Sequence, residues 1–139
     1  MMTATPTNDI WVFIDLRSRR LLAFSLNVLC KARQLAQSSG GKLIALMFVP
    51  VTGTPRTFPD TEGCGKESAP ETQCIHHGAH EVLMLESDAF SSPRTDVFAT
   101  VLTDVIKKTP PKLVLTALTD FGRELAARVS KRCRGGLIA

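Results

Sequence analysis

The chain has 139 residues, of which 44% are hydrophobic and 22% are charged, a balance typical of one globular domain. No apolar run approaches the roughly 20 residues that span a bilayer, and residues 1–9 lack the basic and apolar regions of an export signal. These features argue against membrane insertion and predict a cytoplasmic protein.

The formal net charge is +4, and much of the excess lies between residues 123 and 134. Such a basic stretch is typical either of a nucleic-acid patch or of the solvated face of an amphipathic helix. The sequence has no Tyr and few aromatic residues, and its rings do not alternate with basic residues as base stacking requires. We therefore predict no nucleic-acid partner.

The first half of the chain predicts two strands on either side of a helix. Residues 1–8 are expected to be a loose tail, and the five apolar residues that follow form a continuous run. A continuous apolar run is typical of a strand that is covered on both faces, as in a parallel sheet. The predicted elements are a strand at Ile10–Ile14, a charged turn at Arg17–Arg20, a helix capped by Ser25 and closed by Gly40 and Gly41, and a strand at Leu43–Val49.

The segment from Pro50 to Gln73 differs in character, because it contains four prolines, three glycines and many Thr and Ser residues without any periodicity. The segment is predicted to be a loop, and a loop of this length exceeds most connections inside a compact domain. We therefore expect residues 50–73 to be either mobile or functional.

The second half continues the alternation of strands and helices. Apolar residues at helical spacing follow Asp96 and again follow Asp120, and each Asp is expected to cap its helix. The predicted elements are two helical turns at Thr72–Gly78, a strand at Val82–Leu85, a helix stopped by Pro110 and Pro111, a strand at Leu113–Leu115, and a last helix that buries Phe121, Leu125 and Val129.

Strands with continuous apolar character that alternate with helices predict an α/β fold, a three-layer doubly wound parallel sheet. Gly135–Ala139 resembles the loop and first residues of a fifth strand. The sheet is therefore expected to be incomplete at its C-terminal edge, and the chain to be a fragment or a subunit that a partner completes.

The histidines and cysteines of the middle region are the candidate metal ligands. Cys64 and Cys74 are too far apart in sequence for a zinc pair, and Gly78 separates His76 from His80 without the acid of an H-E-x-x-H motif. We predict no metal site.

The four cysteines are expected to be reduced thiols. Cys30 and Cys133 are predicted to be small residues near the buried faces of their helices. Cys64 is the accessible candidate, and a small hydrolase that uses Cys64 with a histidine is an open alternative, although no catalytic constellation is evident in the sequence.

One corner of the chain is a candidate site for a nucleotide or an interface. No glycine-rich phosphate loop follows Ile14, but Thr119, Asp120, Gly122 and Arg123 lie where a strand ends and a helix begins. Free amides at such a corner attract anions, but the carboxylate of Asp120 would compete with a bound anion for those amides. A stand-alone sensor that binds ATP or AMP at this corner is therefore a second hypothesis.

Four stretches of the sequence resemble the electron transfer flavoprotein alpha subunit. They are IWVFID, SLNVLCKARQLAQSSGGKLIALMF, HHGAHEVLML and LVLTALTDFGRELAARVSKRCRGGLIA, which together cover residues 10–48 and 75–139. The last stretch is the most specific, because a strand followed by T-x-x-G-R-[DE]-L-A-x-R-[VL] is typical of that family. In this chain the motif begins at Thr119 and ends at Val129.

The resemblance implies a Rossmann-like fold of the adenine-nucleotide-alpha-hydrolase type. It implies that residues 1–139 are one N-terminal domain without the C-terminal FAD domain, and that this domain is a scaffold that pairs with a beta subunit. The complete heterodimer would carry electrons from flavin dehydrogenases on bound FAD. No FAD and no FAD-binding residue are expected on this chain alone, and AMP, where the family binds it, belongs to the beta subunit.

Overall fold

A computed structural model describes residues 7–50, 58–59, 67–91 and 94–133. These residues form a four-stranded sheet, with helices on both faces, and a separate two-stranded pair. The elements are β1 (Ile10–Ile14), α1 (Arg19–Ser39), β2 (Leu43–Val49), β3 (Phe58–Pro59), β4 (Glu67–Ser68), α2 (Pro70–His76), β5 (Glu81–Glu86), a 3-10 turn (Asp88–Ser91), α3 (Thr95–Lys108), β6 (Leu113–Leu115) and α4 (Asp120–Cys133).

The main sheet has the strand order β5-β2-β1-β6, and all of its pairings are parallel. The predicted three-layer α/β fold is therefore confirmed. The chain first adds strands on the β2 side of β1 and then crosses to the other side at β6. This reversal places the topological switch point, where α/β folds usually bind ligands, between the carboxyl ends of β1 and β6.

The sheet separates two apolar cores. Alternate residues of β1 point to opposite faces, so that Val12 packs against α1 and α2 whereas Phe13 packs against α3 and α4. The ring of Phe48 lies 4.8 Å from that of Phe98 and 4.9 Å from that of Phe90, as measured between centroids. Burial on both faces explains why β1 is apolar at every position.

The prediction that Ser25 caps the first helix is wrong. Helix α1 begins at Arg19, and the side chain of Ser18 accepts a hydrogen bond from the amide of Leu21. Ser25 is instead buried inside the helix, where its hydroxyl accepts from the amide of Asp15 at 3.0 Å. Both Ser18 and Ser25 are suitable capping residues. Ser25 faces the loop after β1 and holds that loop through its bond to the Asp15 amide.

The predicted caps of the two later helices are also displaced. Helix α3 begins at Thr95, one residue before Asp96, and Arg94 occupies the cap position without a side-chain bond to the helix. The Asp96 carboxylate lies 3.2 Å from the Arg94 guanidinium. In α4 the capping side chain belongs to Thr119, so Asp120 is the first helical residue.

Two predicted irregular segments are more ordered than expected. Thr7, in the predicted tail, donates its amide to the Pro110 carbonyl at 2.8 Å. Helix α2 begins at Pro70, inside the predicted 50–73 loop, because proline suits the first position of a helix. The pairing of β3 with β4 also falls in that segment. Residues 51–57 and 60–66, together with the predicted fifth strand at Gly135–Ala139, lie outside the described residues.

Candidate functional site

The predicted corner lies between β6 and α4, at the carboxyl end of the sheet. The Thr119 hydroxyl accepts a hydrogen bond from the Gly122 amide at 3.0 Å, and the Thr119 carbonyl accepts from the Arg123 amide at 2.8 Å. Asp120 and Arg123 are exposed, whereas Gly122 is buried. The Thr119 hydroxyl therefore caps one amide of the first turn, that of Gly122, and the Arg123 amide makes the first bond inside the helix.

Gly122 is the residue that allows this corner to close. A Cβ atom at this position would lie 2.4 Å from the Ala117 carbonyl oxygen and 3.1 Å from the Thr119 hydroxyl. The close approach of α4 to the end of β6 therefore requires glycine. These contacts account for the corner as a packing feature, and its role as a nucleotide or interface site stays a prediction.

A second constellation lies at the same end of the sheet and was not predicted from the sequence. Asp15 follows β1 and is only 4% exposed. Its carboxylate accepts from Nη2 of Arg17 at 2.7 Å, from Nε at 2.9 Å, and from the Arg17 amide at 3.1 Å. The guanidinium of Arg17 in turn lies 4.1 Å from the centre of the Phe121 ring. A cation–π contact thus joins the loop after β1 to the first turn of α4, and the ion pair with Asp15 holds the guanidinium that makes it.

These contacts bear on whether the chain could hold a flavin or a nucleotide at the switch point. Arg17 joins the loop after β1 to α4, and Thr119 already binds the Gly122 amide. An open depression of about 300 Å³ lies between α3 and α4 and is lined by Asp96, Val97, Thr100, Val101 and Arg132. A dinucleotide needs a deeper site with several convergent polar groups. The open depression between α3 and α4 is therefore not a site for FAD.

Two of the three histidines, His77 and His80, form hydrogen bonds within the fold. Nδ1 of His80 accepts from the Leu43 amide at 3.0 Å, and the His80 amide donates to the Leu43 carbonyl at 2.8 Å, so this residue joins the starts of β2 and β5. Nδ1 of His77 lies 2.7 Å from the Gln73 carbonyl. Among the residues that the structure describes, no group of three His, Cys, Asp or Glu side chains is arranged to hold a metal ion.

The thiols differ in burial. The prediction that Cys30 lies near a buried face is wrong, because Cys30 is exposed, while Cys133 is half-buried. Cys74 is fully buried in the core beneath α1. Cys64, the candidate nucleophile, lies outside the described residues.

The buried thiol gives a pH-dependent prediction. Burial raises the pKa of Cys74 from 9.0 to about 12, and the Glu71 carboxylate adds to the shift. Above about pH 9 the unfolded chain loses this proton while the folded chain keeps it, so the stability supplied by Cys74 decreases as the pH rises towards 12. In urea unfolding the free-energy difference between the parent and Cys74→Ala should therefore fall by up to about 1.4 kcal/mol per pH unit in this range. A difference that stays constant between about pH 8 and about pH 10.5 would contradict this prediction.

Within the described part of the chain, no helix combines the length and apolar character needed to cross a membrane.

Comparisons with known proteins give a consistent result. The model of the electron transfer flavoprotein domain matches residues 10–139. The chain is 28% identical over 131 residues to the acryloyl-CoA reductase electron transfer subunit beta of Anaerotignum propionicum. The aligned residues are 94% of this chain and 32% of that protein. It is 28% identical to the electron transfer flavoprotein subunit alpha of Clostridium acetobutylicum, and the alignment covers 99% of this chain and 37% of that protein. It is 30% identical to protein FixB of Clostridium saccharobutylicum, and the alignment covers 99% of this chain and 36% of that protein. The chain spans about a third of the length of the curated relatives it matches.

Proposed function

The chain belongs to the electron transfer flavoprotein family, and on that premise we propose that it is the N-terminal domain of an alpha-type subunit. The observation that carries this proposal is the family match over residues 10–139. Two of the relatives described above carry the names subunit alpha and FixB, which supports the alpha type. The signature motif from Thr119 to Val129 forms the β6–α4 corner and most of α4, so it belongs to the packed body of this domain.

We infer that the domain is a scaffold and partner-binding part of a heterodimer with a beta-type subunit. The packing contacts at the switch point support this role, because Arg17 lies against Phe121 and the Thr119 hydroxyl binds the Gly122 amide there. The complete complex would hold FAD on other polypeptide and pass electrons from flavin dehydrogenases to an acceptor. This chain would supply no catalytic group of its own.

The stand-alone nucleotide sensor receives less support. A sensor at the Thr119–Arg123 corner needs first-turn amides that are free to bind phosphate, and Thr119 already binds one of them, that of Gly122. The exposed carboxylate of Asp120 would also repel an anion there.

The proposal is tested by expressing the chain with and without the beta-type subunit encoded in the same genome. The chain purified alone should be colourless, and the coexpressed chain should co-elute with the beta-type subunit on size exclusion. An unrelated flavoprotein subunit of similar size serves as the control for nonspecific association. Stoichiometric flavin on the isolated chain, or a heat signal on titration with AMP or ATP, would overturn the assignment.

A further inference from the structure

Helix α1 has an unusual distribution of charge. Its 21 residues include Arg19, Arg20, Lys31 and Arg33 but no Asp or Glu. Arg19 and Arg20 occupy the first turn, where the positive end of the helix dipole disfavours cations. A cation at this position lowers the stability of the helix.

Two arginines at or just before the start of α1, Arg17 and Arg20, lie against aromatic rings. The Arg17 guanidinium lies 4.1 Å from the centre of the Phe121 ring, and the Arg20 guanidinium lies 5.4 Å from that of Phe24. Phe24 is 40% exposed. We call the surface formed by Arg17, Arg19, Arg20 and Phe24 the arginine face. Stacking restricts two of its three guanidinium groups, which reduces the entropy that they would lose on binding a partner.

The positive charge of this face is only partly compensated. Arg17 is paired with the buried carboxylate of Asp15. Within the described ranges, no carboxylate forms an ion pair with Arg19 or Arg20. The face therefore presents two exposed guanidinium groups without a counter-charge beside an exposed aromatic ring, and Arg and aromatic residues are the side chains that most often dominate protein interfaces.

We propose that the arginine face is a docking surface for a carboxylate-rich surface of another protein. Arg19 and Arg20 are exposed and form no ion pair within the described ranges, and guanidinium groups bind carboxylates through strong, often bidentate, hydrogen bonds. A nucleic acid suits this face less well, because the cations span little more than one helical turn and only one exposed ring, that of Phe24, lies beside them. A membrane suits it less well because only one large apolar side chain, Phe24, is available for insertion.

The proposal goes beyond the heterodimer and does not depend on it. Permanent subunit interfaces are large and more hydrophobic, whereas small charged surfaces are typical of transient contacts that electrostatic attraction accelerates. The arginine face is small and charged, as the surfaces of transient contacts are. It is therefore expected to bind an acidic partner weakly and in a salt-dependent manner, with or without a beta-type subunit.

The test measures binding of the full chain to a synthetic peptide of alternating Glu and Asp by fluorescence anisotropy. The double variant Arg19→Glu/Arg20→Glu is compared with Lys107→Glu/Lys108→Glu, which changes the charge equally at exposed positions of α3. Glutamate suits the first turn of a helix, so the α1 variant is expected to fold, and circular dichroism checks this. A DNA duplex and vesicles that contain phosphatidylserine are titrated in parallel.

The α1 variant should bind the acidic peptide about tenfold more weakly than the parent, and raising the salt should reduce parental binding. The α3 variant should retain most of the affinity. Equal losses in the two variants would overturn the proposal, because they would show an effect of net charge alone. Tighter binding to the duplex or to the vesicles than to the peptide would overturn it as well.

Discussion

Gly122→Ala is expected to lower the free energy of unfolding by about 3 kcal/mol. The new methyl carbon would lie 2.4 Å from the Ala117 carbonyl oxygen, which is a backbone atom at the end of β6. Relief of that clash requires α4 to move away from the sheet, which would also weaken the Thr119 cap and the contact between Phe121 and Arg17. Urea unfolding followed by circular dichroism measures the change.

Arg123→Ala is the matched control for Gly122→Ala, because Arg123 is the next residue of the same helical turn and is exposed. Its substitution should change the stability by no more than about 0.5 kcal/mol. If Gly122→Ala proved as stable as Arg123→Ala, then α4 would not approach β6 as closely as the structure indicates.

Leu29→Ala is expected to have a comparable or larger effect, about 2 to 5 kcal/mol. Leu29 is 0% exposed and belongs to the core between α1 and the sheet, together with Val12 of β1. The substitution would remove buried apolar contacts and leave a cavity that neighbouring side chains fill only in part. Thermal and urea unfolding should both report the loss.

Leu35→Ala makes the same chemical change on the same helix, but Leu35 is 47% exposed. It should lower the stability by less than about 1 kcal/mol, since much of that side chain already contacts water. Equal losses for the two variants would mean that α1 does not bury the face described here.

The fold could be predicted from the sequence because its strands are buried on both sides. Ile10–Ile14 and Leu43–Val49 are apolar at every position, and only a sheet with two helical layers covers such strands. The start of α1 was less predictable, because Ser18 and Ser25 are both good capping residues. Only the three-dimensional structure shows that Ser25 binds the Asp15 amide instead.

The geometry of the corner between β6 and α4 was predicted in part, and its role stays a prediction. Thr119 and Gly122 could be recognised from a local motif, although two adjacent residues, Thr119 and Asp120, competed for the cap. The contact of Arg17 with Phe121 could not be predicted, because it joins residues from opposite ends of the chain and depends on the crossover that places β6 beside β1. The prediction of a charged turn at Arg17–Arg20 was wrong for Arg19 and Arg20, because both lie in the first turn of α1.

The most direct test of the central claim is a calorimetric titration of the purified, flavin-free chain with its purified beta-type subunit. The proposed function predicts saturable binding with a stoichiometry of one to one, and no binding of FAD by the chain alone. A chain that binds FAD but not the beta-type subunit would contradict the assignment of this domain as the scaffold of a heterodimer.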